Sequence, residues 1–139
     1  MKLVKRLTTS AAALGLATVG IVGLGATAAH AADSYYCGTS VTYGDVTVTG
    51  CIHLGGNGYW QPYVVVDDSQ LHQVTGSQWI NSNGSYNDTS SFNSTVDGSA
   101  VVWGGSTNWR VSCYVQAQAA VIVDGTSVGR VYSPSEEVC

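Results

Sequence analysis

Positive charge is almost missing from this chain. Three of its five basic residues are Lys2, Lys5 and Arg6, and beyond residue 31 only Arg110 and Arg130 remain. All nine acidic residues lie in that later part, so removal of residues 1–31 takes the formal charge from −4 to −7. A nucleic-acid binder needs clustered Lys and Arg to displace counterions from phosphates, and this composition repels phosphates instead. The same deficit opposes adsorption to anionic lipid. No apolar run after residue 31 approaches the ~20 residues of a spanning helix, so neither nucleic acid nor membrane is an expected partner. Also lacking are a G-x-S-x-G elbow, an H-E-x-x-H pair and CxxC-like spacing. Those absences remove the usual signatures of a hydrolase serine, a zinc protease and a structural zinc site.

What is present begins with an export signal. Lys2, Lys5 and Arg6 precede an apolar Ala/Gly/Val/Leu run from Ala11 to about Ala29, and Ala29-His30-Ala31 fits a small-x-small cleavage site. Residues 1–31 therefore read as a secretory signal peptide, and residues 32–139 as a single extracellular domain. All four cysteines follow the signal, and in an exported domain of this size they read as two disulfides. Three connectivities are possible, and hairpin arithmetic selects one. A turn centred on Gly44 places Cys37 opposite Cys51, and a turn at Asp124-Gly125 brings Cys113 opposite residues 136 to 138, beside Cys139. Directly paired strands hold their Cα atoms within disulfide range. The expected bridges are Cys37–Cys51 and Cys113–Cys139, each contributing ~3 kcal/mol in the chain-entropy account.

Strand signals fill the rest. Val46, Val48, Ile52 and Leu54 alternate with Thr47, Thr49, Cys51 and His53, the period of a half-buried strand. Pro62 opens the apolar run Tyr63-Val64-Val65-Val66, a weaker strand covers Leu71 to Ile80, and Val101-Val102-Trp103 makes a short one. A long hairpin is expected from Asn108 to about Ser133. In it Trp109, Val111, Cys113, Val115, Ala117, Ala119, Val121 and Val123 share one face. Between these elements, Asn81 to Ser99 is polar and reads as a long exposed loop or a poorly paired edge strand, with N-x-S/T matches at Asn83, Asn87 and Asn93. About seven to eight strands separated by Gly, Asn, Ser and Asp turns predict an all-β antiparallel sandwich, immunoglobulin-like in general architecture.

The run Trp109-x-Val111-x-Cys113-x-Val115-x-Ala117 resembles the sixth strand of immunoglobulin-like domains, which implies architecture and not activity. Val111 stands where that family carries a tyrosine. The Ala/Gly-rich signal and the Ser/Thr/Gly-rich body are similar to exported proteins of high-GC Gram-positive bacteria. Size and acidity are also similar to the enediyne-carrying chromoproteins, exported sandwiches with two disulfides. The very short loop closed by their second disulfide has no counterpart here.

Catalytic chemistry has little to work with. His53 and His72 sit on strand-like segments, and every cysteine is assigned to a bridge. Asp45, Asp88, Asp97 and Asp124 lie in turn-like contexts, where Asp bonds its own backbone. Asp67-Asp68 cannot form a glycosidase pair by themselves, because strand neighbours point to opposite faces. Oxygen ligands at Asp67-Asp68-Ser69 or Asn87-Asp88 would suit calcium, but no EF-hand spacing is present. Neither metal nor cofactor is expected, and the chain does not read as an enzyme.

Aromatic residues carry the functional hint. Gly55-Gly56-Asn57-Gly58-Tyr59-Trp60-Gln61-Pro62-Tyr63 is a glycine-rich loop running into a strand, from which Tyr59 and Tyr63 are candidate contacts. Tyr86 decorates the polar stretch, and Tyr114 is expected on an outer face beside Gln116 and Gln118. Trp60 and Trp109 share parity with core valines and are assigned to packing. Exposed rings beside amides suit a neutral sugar or a protein surface, offering apolar faces and hydrogen bonds together. The expectation is a secreted, non-enzymatic binding domain for neutral glycan or a secreted or cell-surface protein, using the 55–63 and 81–99 segments. An inhibitor of a secreted protease or amylase, or a structural cell-surface protein, is the alternative.

Overall fold

Alternating sequence becomes strand throughout residues 32–139, the part of the chain that the computed structural model describes; the signal-peptide expectation for residues 1–31 lies outside it. The elements are β1 (Ser34–Tyr43), β2 (Val46–Leu54), β3 (Trp60–Asp67), β4 (His72–Ser82), β5 (Ser85–Val96), β6 (Ser99–Trp103), β7 (Tyr114–Val123), β8 (Thr126–Tyr132) and the two-residue β9 (Glu136–Glu137). No helix occurs among the described residues. One sheet has the order β1-β2-β3-β6; the other has β5-β4-β7-β8, with β9 also paired to β7. Every pairing is antiparallel. The expected sandwich is therefore present, with eight longer strands and one short one.

Valine dominates the space between the sheets. Val46, Val48, Val64 and Val66 project from one sheet onto Val74, Val121, Val123 and Val131 of the other, all essentially inaccessible to water. Burying such a side chain contributes roughly 1.5–3 kcal/mol. A second cluster of Ile52, Trp60, Ile80, Val115 and Ala117 fills the opposite end. Trp60 is buried as its parity requires, and its indole Nε1 donates to the Trp109 carbonyl at 3.1 Å. Trp109 itself is half-buried against that cluster.

Two regions need correction in detail. Of the two alternatives for the polar stretch after Asn81, the edge strand holds and the exposed loop does not. Asn83 and Gly84 take left-handed φ values of 51° and 79°, which makes a two-residue hairpin turn and returns the chain as β5. That strand pairs with β4 from Ser82–Ser85 to His72–Val96 and forms the edge of its sheet. Phe92 supplies its one large apolar side chain, set opposite Gly76. The second departure lies before β7. Residues 108–113 are not strand, and Val111 is 55% exposed instead of sharing the core face. Buried Ser82 explains this: its Oγ accepts the Val111 and Ser112 backbone N–H groups at 3.1 Å each, replacing the ladder bonds a strand would make. From Val115 onward the predicted face holds, with Val115, Ala117, Ala119, Val121 and Val123 all buried.

Both expected disulfides form, Cys37–Cys51 and Cys113–Cys139, with Cα separations of 4.1 and 5.0 Å. The first depends on a register shift. The β1–β2 turn is Gly44-Asp45, flanked by the pair Tyr43–Val46, which by itself would set Ile52 opposite Cys37. Gly38 and Thr39 together face Gly50, and this β-bulge moves the register by one so that Cys37 meets Cys51. At the same bulge the backbone of β2 passes close to β8 of the other sheet. A Cβ on Gly50 would lie 2.6 Å from the Tyr132 nitrogen and 2.8 Å from the Val131 carbonyl carbon of β8. Thr39 Oγ1 accepts the Tyr132 N–H at 2.8 Å there.

Candidate functional site

Strand register assembles a group of rings on the outer face of the four-stranded sheet. Tyr35 of β1 pairs with His53 of β2, which pairs with Gln61 of β3. One step along, Cys37, Cys51, Tyr63 and Trp103 form a continuous row across all four strands. Side chains of directly paired residues share a face. Tyr35 stacks on His53 with centroids 4.5 Å apart, and Tyr63 lies 4.5 Å from Trp103. Tyr35 and Trp103 close the group edge-on at 6.5 Å. These two outermost rings are 57% and 46% exposed, whereas Tyr63 is buried between them. Together they form an aromatic platform, floored by the Cys37–Cys51 bridge. Burial and the neighbouring Tyr35 phenol raise the Tyr63 pKa, so its hydroxyl keeps its proton. That hydroxyl lies 3.6 Å from Cys37 Sγ.

The platform runs into a concavity at the end where β2 joins β3. A cavity of about 230 Å³ is lined by His53, Gly55, Asn57, Tyr59, Gln61 and Ser106. Its far wall is a self-bonded loop. Gly55 N–H donates to the Tyr59 carbonyl at 2.7 Å, Gly58 N–H to the Gly55 carbonyl at 3.1 Å, and Tyr59 N–H to Asn57 Oδ1 at 3.2 Å. Asp33 Oδ1 accepts the Gly56 N–H at 2.8 Å and fastens the loop to the start of β1. Gln61 is held by its Nε2, which donates to the Gly104 carbonyl at 2.6 Å. His53 Nε2 lies 3.7 Å from Asp33 Oδ2, beyond hydrogen-bonding distance. On the other side of Tyr59 lies a second cleft of about 320 Å³, lined chiefly by Leu54, Trp60, Val138 and the loop glycines, with Glu137 among them.

Neither arginine of residues 32–139 reaches the platform, whose own basic ring is His53. Arg110 Nη1 donates to the Val138 carbonyl at 2.9 Å, and Arg130 covers Trp79 on the other sheet, 5.2 Å from the ring centroid. The site offers aromatic faces, amides and hydroxyls, with Asp33 as its nearby charge.

The four tyrosines singled out in the sequence divide between two faces. Tyr59, 45% exposed, walls the cavity, and Tyr63 belongs to the platform as a buried member. Tyr86 and Tyr114 are 58% and 53% exposed, but both lie on the outer face of the other sheet. There Tyr86 pairs with Asn81, which pairs with Gln116, two residues beyond Tyr114. The amides beside them are already engaged: Gln116 Nε2 donates to the Ser133 carbonyl, and Gln118 joins Gln116 Oε1 to the Trp79 indole. Tyr35, His53 and Trp103 were missed as site residues. The Cys37–Cys51 pairing carries the signal for two of them, because residues two positions out from a cross-strand pair face each other on the same side.

A separate charged cluster lies at the opposite end of the sandwich. His72 Nδ1 bonds Asp124 Oδ2 at 2.6 Å, and its Nε2 bonds Asp45 Oδ1 at 2.8 Å. The two carboxylates belong to the turns of the β1–β2 and β7–β8 hairpins, one from each sheet. Asp124 and Asp45 together hold the His72 pKa above its usual value. Asp45, which also accepts the Ser69 Oγ–H at 2.8 Å and N–H at 3.0 Å, is lowered to about 2, chiefly by Ser69. Asp124 is likewise lowered, first by His72 and then by the Gln73 N–H. The imidazolium therefore clasps two hairpin turns. Among the described residues no group of three His, Cys, Asp or Glu side chains is arranged to hold a metal ion. The chain matches no protein-family model, no curated protein sequence and no solved structure.

Proposed function

We propose that the protein is a secreted, non-catalytic binding protein for a neutral glycan, held on the outer face of the four-stranded sheet. The observation that carries this reading is the pair of exposed rings, Tyr35 and Trp103, standing on one sheet beside a cavity whose lining includes two amides and a hydroxyl. Aromatic faces cover the apolar C–H surface of a pyranose, while Ser106 Oγ, Gln61 Oε1 and Asn57 Nδ2, the atoms not used in holding the loop and Gln61, supply partners for hydroxyls. Rings fixed by strand pairing and neighbours lose little freedom on binding, which favours affinity. The surplus of acid and the absence of Arg and Lys at the platform favour a neutral chain over an anionic one. Export through a signal at residues 1–31 accords with two disulfides. A non-catalytic role accords with His72, whose two ring nitrogens are both taken by carboxylates.

Retention on insoluble cellulose, chitin, starch, xylan and mannan tests the reading directly. At least one should retain the protein, and Trp103→Ala should release it. Passage of the wild-type protein through all five, or equal retention of the variant, defeats the proposal.

A second reading is favoured by the 55–59 loop, whose internal hydrogen bonds preorganise an exposed Tyr59. Such a loop suits an inhibitor of a secreted hydrolase. That role requires a stoichiometric complex with a protease or amylase that Tyr59→Ala disrupts and Trp103→Ala leaves intact.

A further inference from the structure

We infer that the cavity beside the platform is a subsite for the end of a glycan chain, so that the protein recognises chain termini and not chain interiors. This rests on the glycan reading above and specifies which part of the ligand is held. The cavity continues the platform without a break, since His53 carries the stacked Tyr35 on its ring and also lines the cavity. Beyond it Tyr59 and the loop separate this cavity from the second cleft. Residues 55–59 stand across the end of β2 and β3, fixed by three internal hydrogen bonds and by Asp33. A chain laid from Trp103 across Tyr63 and on along β3 past Gln61 would meet this wall at Tyr59.

Size agrees with a single terminal unit. An enclosed cavity of about 150 Å³ takes one benzene ring, and the 230 Å³ here has room for one ring with its substituents. The lining also changes along the path. The platform presents rings alone, whereas the cavity sets the Asn57 amide, the Gln61 amide and the Ser106 hydroxyl beside the Tyr59 ring and His53. A terminal sugar bears one hydroxyl more than an internal one, where the next linkage would be, and amide and hydroxyl partners at the end of the path reward that difference.

The test uses whichever insoluble polysaccharide retains the protein, before and after limited cleavage by an endo-acting hydrolase that multiplies chain ends at constant mass. End recognition predicts that bound protein at saturation rises in proportion to the ends created. Ser106→Leu, which fills the cavity from an exposed position, and Tyr59→Ala, which opens its wall, should each remove that increment. Circular dichroism and melting confirm that both variants remain folded. Capacity unchanged by cleavage overturns the chain-end inference and leaves the glycan reading standing. An increment retained in both variants also overturns it, since the ends would then be bound elsewhere. Failure of every polysaccharide to retain the protein removes the glycan reading itself.

Discussion

Tyr35 lies flat on His53, with ring planes 8° from parallel, because the β1–β2 ladder sets the two residues directly opposite each other. The stack sits two residues from the Cys37–Cys51 bridge on the same face, so one register determines both the covalent and the aromatic arrangement. Any change that slips this register would dismantle the platform while leaving the valine core in place.

The first prediction separates the two aromatic faces. Tyr35→Ala and Trp103→Ala should abolish retention on a neutral polysaccharide and lower stability by no more than about 0.5–1.5 kcal/mol, the scale of an aromatic pair. Tyr86→Ala and Tyr114→Ala, on the opposite face, should leave retention unchanged. Affinity electrophoresis in polysaccharide-containing gels, with urea unfolding in parallel, measures both effects.

Gly50 governs the distance between the sheets. An alanine there places a methyl against the backbone of Val131 and Tyr132, neither of which can rotate away. The cost should be about 1–3 kcal/mol, as for other overpacked sites. A lower urea midpoint with unchanged denaturant slope would accord with it; an unaltered midpoint would not.

Ser82 holds the connection before β7. Its Oγ accepts two backbone N–H groups and donates to the Tyr114 carbonyl at 2.8 Å, inside the protein. Ser82→Ala leaves these groups without their partner and should cost about 1–3 kcal/mol. Hydrogen exchange at Val111 and Ser112 should accelerate in the variant, and unchanged protection would refute the role assigned to this hydroxyl.

The His72 clasp predicts a bell-shaped stability contribution. Asp45 and Asp124 have lowered pKa values, so their contribution is present above the ordinary carboxylate value of 3.8 and fades as pH falls through the folded values, about 2 for Asp45. His72 is raised, so its contribution is complete below 6.5 and fades as pH climbs through the higher folded value. The difference in Tm between wild type and His72→Gln should therefore be largest from about pH 4 to 6.5. It should shrink on both sides. A difference independent of pH would show that the clasp acts by shape alone.

Replacing Cys37 and Cys51 together by serine should cost about 3 kcal/mol, the chain-entropy value for a loop of this length. Polysaccharide retention should also weaken, since the bridge holds β1 in the register that stacks Tyr35 on His53.

Several features were legible because they are local. The alternation of Val46, Val48 and Ile52, the Asp124-Gly125 turn and the parity of Trp60 each depend on residues close in the chain, and each appears as expected. Asn83-Gly84 carried an equally local turn signal, but the polar composition of the following strand obscured it. An edge strand with one half-buried face needs few apolar residues, and Phe92 with Val96 suffices. The bridge Cys37–Cys51 was reached from a turn centred on Gly44, whereas the molecule combines a two-residue turn with a bulge to the same effect.

Composition, periodicity and cysteine count by themselves determined that this chain makes an acidic, antiparallel sandwich with two disulfides, since solvent exclusion and strand geometry act over a few residues at a time. Tertiary structure alone decided which rings share a surface. β6 lies beside β3 and not beside its chain neighbour β5, and that crossover between sheets is what brings Trp103 to Tyr63 and Tyr35. Which edge strand completes a sheet is settled by packing across the whole core, a long-range choice that alternation along a single strand does not encode.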